Sequence, residues 1–130
     1  MRLWHQALIP YLDRQHLLGQ HRECAALRGA GWGRKHATVD YVFTHDPAYL
    51  VAYHCLVMNE MKYRGYHPDE IWYSIQYRGK SLGISNNWVD ENIFINCYKN
   101  NSLIIYPEHN DAYLQECLDI LKSKGIEINL

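Results

Sequence analysis

Asp13-Arg14-Gln15-His16-Leu17-Leu18-Gly19-Gln20-His21-Arg22-Glu23-Cys24 is the stretch on which the reading of this chain turns. At 100° per residue, Leu17, Leu18, His21, Cys24 and Ala25 fall on one side of a helix. His16, Gly19, Gln20 and Glu23 fall on the other, with Gln15, Arg22 and Ala26 at its margin. His16 and Glu23 stack two turns apart on one stripe, about 10 Å from end to end. Gly19 between them costs a helix about 1 kcal/mol relative to alanine. A polar stripe with a gap at its centre has the form of a surface that something approaches.

Working outward, Pro10 suits a first helical turn and Gly29 a stop, so a helix is expected from about Pro10 to Arg28. Gly29-Ala30-Gly31-Trp32-Gly33 is a glycine loop without the lysine of a phosphate loop. Arg34-Lys35-His36 follows as a basic patch, equally consistent with a phosphate contact and with a solvated turn. Asp46-Pro47 and Gly65 bracket a core helix over 47–64, in which His54 reads as a hydrogen-bonded core histidine rather than a ligand. Pro68-Asp69-Glu70 opens a further helix through about Gln76, and Asn110-Asp111 caps a last one over about 110–124. Ile93-Phe94-Ile95 and Leu103-Ile104-Ile105-Tyr106 read as short strands of a small hairpin over 93–106 or as buried loop anchors. His45-x-x-Ala48-Tyr49-Leu50 is faintly echoed by His109-x-x-Ala112-Tyr113-Leu114, which two amphipathic helices with similar caps would produce by chance.

The expected fold is therefore mainly α: a compact orthogonal bundle of three to four helices with long loops, in one domain over residues 1–130. With 48% hydrophobic residues the chain can bury a core, and it has no apolar run of eighteen or more, so no membrane span is expected. The first residues lack the pattern of a signal peptide. Cys24, Cys55, Cys97 and Cys117 are widely spaced, which fits reduced, mostly buried thiols and a cytoplasmic location.

The net charge of −1 argues against an all-over basic nucleic-acid binder, but the charge is unevenly placed. Residues 1–40 carry Arg2, Arg14, Arg22, Arg28, Arg34 and Lys35 against Asp13, Glu23 and Asp40, whereas residues 41–130 are net acidic. Such asymmetry points to a localised anionic partner.

Gln15-His16-Leu17, then Arg22-Glu23 after a four-residue gap, then Arg34-Lys35-His36, resemble the pyrimidine-dimer DNA glycosylase/AP lyase family. The arginine directly after the first residue matches as well. The resemblance is clearest over residues 1–40 and continues more loosely through Glu60–Tyr66, which ends in a basic-Gly-aromatic turn. It implies a compact helical protein that uses no metal or other cofactor. Such a protein excises a damaged base with the α-amine at the chain's start and then cleaves the backbone by β-elimination. Carried over, it implies Met1 as nucleophile and Glu23 as the catalytic carboxylate. Arg2, Gln15, His16, Arg22, Arg34 and Lys35 become the contacts to damaged double-stranded DNA.

The chemistry is sound on its own terms. An α-amine has a pKa of about 7.7–8, so an appreciable fraction is unprotonated at neutral pH. Arg2 is too large a second residue for methionine removal, so Met1 is expected to be retained. Two departures bear on specificity. Ala26 stands where the family has a further DNA-contacting arginine, a place that Arg28 either takes over or leaves empty. The C-terminal part also lacks a basic, aromatic tail, so a weaker grip on DNA is expected.

Two other readings compete. Eight histidines raise the idea of a metal site, but His16 and His21 are five apart and point about 140° from one another, against the three-or-four spacing of helical ligands. A non-catalytic helical module that binds nucleic acid or oligomerises would use Trp4, Trp32, Trp72, Trp88 and the tyrosines as core and interface. The oligomeric state is not legible.

Overall fold

Helix α2, Pro47–Tyr63, is the axis of the molecule. It is capped by the Asp46 carboxylate accepting from the Ala48 N–H, with Pro47 pre-set in the first turn. It ends where Gly65 adopts a φ of 89° and the Tyr66 N–H turns back to the Met61 carbonyl. Leu50, Val51, Ala52, Tyr53, His54, Val57 and Met58 are all fully buried, so α2 is covered on every side. Helix α1, Arg14–Arg28, packs along it, as does α3, Glu91–Lys99. Helix α4, Asp111–Ser123, closes the core through Cys117 and Leu121.

The computed structural model describes residues 2–100 and 103–130. Among them the fold is a mainly helical bundle with long loops; Tyr77–Ile84 forms an isolated antiparallel bridge and no strand pairs into a sheet. No helix is long and apolar enough to cross a membrane. All four cysteines are free; Cys24, Cys55 and Cys117 are buried and Cys97 is half-buried.

Three expectations are corrected. Pro10 does not open α1 but sits inside a 3-10 helix, Gln6–Tyr11. Leu12 is extended, and the Asp13 carboxylate captures both the His16 N–H and the His16 ring, so α1 starts at Arg14. The helix expected from Pro68 to Gln76 is only a 3-10 turn, Glu70–Tyr73, because the Trp72, Ser74 and Tyr77 carbonyls turn toward the Arg28 guanidinium. Among the described residues of 93–106 there is no hairpin; its first expected strand lies within α3. The Asp90 carboxylate caps the Asn92 and Ile93 N–H groups, and Ile93, Phe94, Cys97 and Tyr98 pack inward at helical spacing. The tip of that expected hairpin, at 101–102, lies outside the described residues. Ile105 and Tyr106 are buried, as loop anchors would be. His45 stacks on Tyr49 and His109 on Tyr113 across the start of each of the two helices.

Arg28 is the largest fully buried side chain. Its Nη1 donates to the Trp72 carbonyl at 2.8 Å and its Nη2 to the Ser74 and Tyr77 carbonyls at 2.9 Å, while the guanidinium lies 5.1 Å from the Trp72 ring. Nη1 also donates to His54 Nδ1 at 3.0 Å, which makes Nδ1 the acceptor and places the His54 proton on Nε2, donated in turn to His21 Nδ1 at 2.8 Å. Burial pulls the guanidinium down to about 10, so it stays charged at neutral pH without a carboxylate beside it. Replacing Arg28 by Met orphans several buried acceptors, each costing about 1–3 kcal/mol. Arg28→Met is therefore expected to lose about 3 kcal/mol or more in urea unfolding; a loss under about 1 kcal/mol refutes the bracing role.

Burial also lowers the pKa of His5, His21 and His54, and takes His109 down to about 3, so folding favours their neutral forms. The unfolded chain binds these protons from about pH 6.5 downward and the folded chain does not, so stability falls as the pH drops. Urea titrations at stepped pH should show the unfolding free energy declining below about pH 6.5, by up to about 1.4 kcal/mol per pH unit for each proton taken up. A flat profile from pH 6.5 to 4.5 would contradict it.

Candidate active site on the first helix

Helix α1 does not divide into the two faces that its sequence implies. Gln20, grouped there with the open stripe, is buried at 2% exposure. Its Oε1 accepts from the Trp4 N–H at 2.7 Å and its Nε2 donates to the Arg2 carbonyl at 2.9 Å, so one amide holds the chain's first residues against the helix. The Tyr53 hydroxyl lies 2.7 Å from both the Trp4 carbonyl and Gln20 Oε1, with one proton to give to the pair.

Beside that clamp, Gln15, His16, Gly19, Gln20, Arg22 and Glu23 line an open groove of about 310 Å³ together with Arg2, Trp4, Ile120 and Lys124. The stripe read from sequence is therefore one wall; the N-terminal segment and α4 supply the others. Gln15 and Arg22 are exposed. His16 is half-buried, with Nδ1 2.7 Å from the Asp13 carboxylate and its ring edge-on to Trp4 at 5.6 Å. A methyl group built at Gly19 would meet Arg22 Nη2 at 3.7 Å, an ordinary contact. The gap is thus roofed by the Arg22 guanidinium, and the backbone does not require glycine there.

Glu23 stands apart from the other groove residues. Its Oε1 is buried and has no hydrogen-bond partner among the described residues. Burial pushes its carboxyl up, and the positive charges of the amino terminus and His36 pull partly against that rise. A carboxylate in such a place is readily protonated and deprotonated, and it is poised to accept whatever donor enters the groove.

Arg2 is engaged within the protein: its Nη1 pairs with Glu116 Oε2 at 2.9 Å, and its guanidinium lies 5.7 Å from the Trp4 ring and 5.9 Å from that of Tyr113. Met1 lies outside the described residues. Arg34 and Lys35 are exposed on the rim of a neighbouring recess of about 580 Å³, with Ala25, Ala26, Gly31 and Leu82 among its other lining residues. Gly31 is needed there, because a Cβ would come 2.7 Å from the Ala26 carbonyl oxygen. Arg28 cannot replace an arginine at 26, since it is wholly buried. Among the described residues no group of three or more His, Cys, Asp or Glu is placed to hold a metal ion.

Sequence reasoning put Gln20 on the groove side, which it does line, but not in the core, and missed Ile120 and Lys124. Polarity at position 20 gives no sign of burial, and nothing in the local pattern of α4 says which element it faces. No curated protein and no solved structure gives a significant match to the chain. Residues 1–74, more than half of the sequence, match the family model for pyrimidine dimer DNA glycosylase. That segment contains the Arg2 end of the groove, the α1 wall with Glu23, and the whole of α2; the chain belongs to the pyrimidine dimer DNA glycosylase family.

Proposed function

We propose that this protein is a DNA N-glycosylase and AP lyase acting on double-stranded DNA with pyrimidine-dimer-type damage or abasic sites, with the α-amine of Met1 as nucleophile. The observation that carries this reading is the Glu23 carboxyl, buried in part, unpartnered at Oε1 among the described residues, and set in an open groove that Arg2 also lines. A buried polar atom left without a partner costs about 1–3 kcal/mol and persists where it has work in a reaction. Met1 is joined directly to Arg2, whose carbonyl Gln20 fixes, and consecutive Cα atoms are about 3.8 Å apart.

The amine lone pair attacks C1′ of the deoxyribose as the C1′–N bond breaks, and the base leaves with the bonding pair and takes up a proton. The attached nitrogen gives up one proton, and its lone pair then opens the sugar ring at the C1′–O4′ bond, with O4′ taking up a proton, to yield a protonated imine. The Glu23 carboxylate removes a proton from C2′; the electron pair forms the C2′–C3′ double bond as the C3′–O bond breaks and the phosphate departs. Water hydrolyses the imine and returns the amine. Before the elimination, the same carboxylate stabilises the positive charge that develops at C1′.

Around this centre Gln15, His16 and Arg22 meet the backbone of the bound strand, and Arg34 and Lys35 reach phosphates farther along from the neighbouring recess. The cationic surface is small, because Arg28 is buried and Arg2 is paired. Selectivity among lesions therefore rests on few contacts.

Borohydride trapping with abasic and dimer-containing duplexes tests the reading. The parent should yield a covalent protein–DNA adduct that disappears when the N-terminus is acetylated or extended by a tag. Glu23→Gln should bind DNA within a few-fold of the parent and lose strand cleavage by about 100-fold or more. Since protonation disables Glu23, the acidic limb of the parent's pH profile should lie above the ordinary carboxylate range. Binding without any adduct on either DNA would instead favour a non-catalytic nucleic-acid-binding module.

A second variant separates fold from function at the groove. Gly19→Ala should raise the stability of α1 by up to about 1 kcal/mol. It should also weaken DNA binding, because the added methyl occupies the groove floor under Arg22. Equal gains in stability and binding would show that nothing approaches the helix there.

A further inference from the structure

We propose that α4, which lies beyond the family-matched segment, completes the active site, and that Glu116 is a positioning residue acting through Arg2. The inference rests on the catalytic reading above. His109, Tyr113, Glu116, Ile120 and Lys124 follow one another at spacings of four, three, four and four, which lays them along a single stripe of α4 and its two ends. Every member of that stripe meets the N-terminal segment or the groove. His109 Nδ1 accepts from the Gln6 N–H at 3.0 Å. The Tyr113 hydroxyl donates to the Leu3 carbonyl. Glu116 pairs with Arg2 at 2.9 Å, and Ile120 and Lys124 line the groove beside Glu23.

Residues 2–6 are consequently gripped from two sides. Gln20 holds the Arg2 carbonyl and the Trp4 N–H from α1, and the α4 stripe holds the Arg2 side chain, the Leu3 carbonyl and the Gln6 N–H from the other. The grips on Leu3 and Gln6 lie inside the core, as their burial shows, and serve folding as well as position. The Glu116 grip is different in kind. Its side chain is 57% exposed against 17% for Arg2, so the pair adds little to folding. It orders the one side chain next to the proposed nucleophile, where a displacement of about 1 Å costs roughly 100-fold in rate. Glu116 also occupies the guanidinium that would otherwise take a DNA phosphate, so Arg2 serves here to set geometry.

The test compares the parent, Glu116→Gln and Glu116→Asp on abasic duplex DNA, measuring Kd separately from the single-turnover rate of imine formation at saturating DNA. Thermal melts should match across the three proteins. The expected result is a drop of about 10- to 100-fold in the saturating rate for Glu116→Gln with Kd unchanged or lower, and partial recovery in Glu116→Asp, which keeps the charge. A Glu116→Gln rate equal to the parent's overturns the positioning role while leaving the catalytic reading intact. So does a change in Kd alone. A parent that forms no adduct overturns both.

Discussion

One buried amide connects the two halves of the groove. Gln20 projects from the middle of α1 into the core, and its two polar atoms satisfy the Arg2 carbonyl and the Trp4 N–H. Its two bonds add to the edge-on contact of the Trp4 ring with His16 in tying the chain's start to the helix that carries Glu23, one turn further on. Removing that amide would leave the buried Trp4 N–H unpaired, an expense of about 1–3 kcal/mol, and would free the half-buried Arg2 carbonyl. The core therefore enforces what the groove needs: the beginning of the chain stays beside the Glu23 wall because its backbone has no other partner there. Arg64 does the same for the next segment, donating to the Leu12 carbonyl at 2.6 Å and the Pro10 carbonyl at 3.1 Å from the end of α2.

The electrostatics follow from what is withdrawn from the surface. Of the six cations in the first forty residues, Arg28 is spent inside the fold and Arg2 is paired with Glu116. Arg14, Arg22, Arg34 and Lys35 stay exposed. The apparent excess of positive charge in that region thus shrinks to a short track along one face of α1 and the loop after it. A nucleic-acid strand held through so short a track would make few phosphate contacts, and its binding would depend only shallowly on salt.

Legibility varied with how local the physics was. The start of α2 was readable because Asp46-Pro47 and Gly65 act within a few residues, and the structure places that helix almost where the pattern does. The strand-favouring run Ile93-Phe94-Ile95 hides α3, whose signals are the Asp90 cap and the inward spacing of Ile93, Phe94, Cys97 and Tyr98. The turn after Glu70 was misread for a non-local reason: Arg28, more than forty residues earlier, claims carbonyls that a helix would have used. In the groove, Gln15, His16, Arg22 and Glu23 were legible as one helical face, and the structure does bring them together. Gln20 lines the groove with them, but its burial was not legible, because a glutamine inside a core and a glutamine on a surface have the same local sequence signature; only its three partners distinguish them.

The family match ends at residue 74, yet neither the core nor the groove does. Leu121 and Cys117 close the main core beside Leu3, Leu17 and Tyr53, and Ile120 and Lys124 form the far wall of the groove. The segment 1–74 by itself would leave the Leu3 carbonyl and the Gln6 N–H without the partners they have here. Buried backbone groups seldom stay unpaired, so some element must fill this position whenever the N-terminal segment is held as it is here. The requirement is geometric: an imidazole just ahead of a helix, a hydroxyl four residues on in its first turn, and an anion one turn further on. Sequences that meet it need share little else, and recognition of the family can fade over this region without the site losing its third wall.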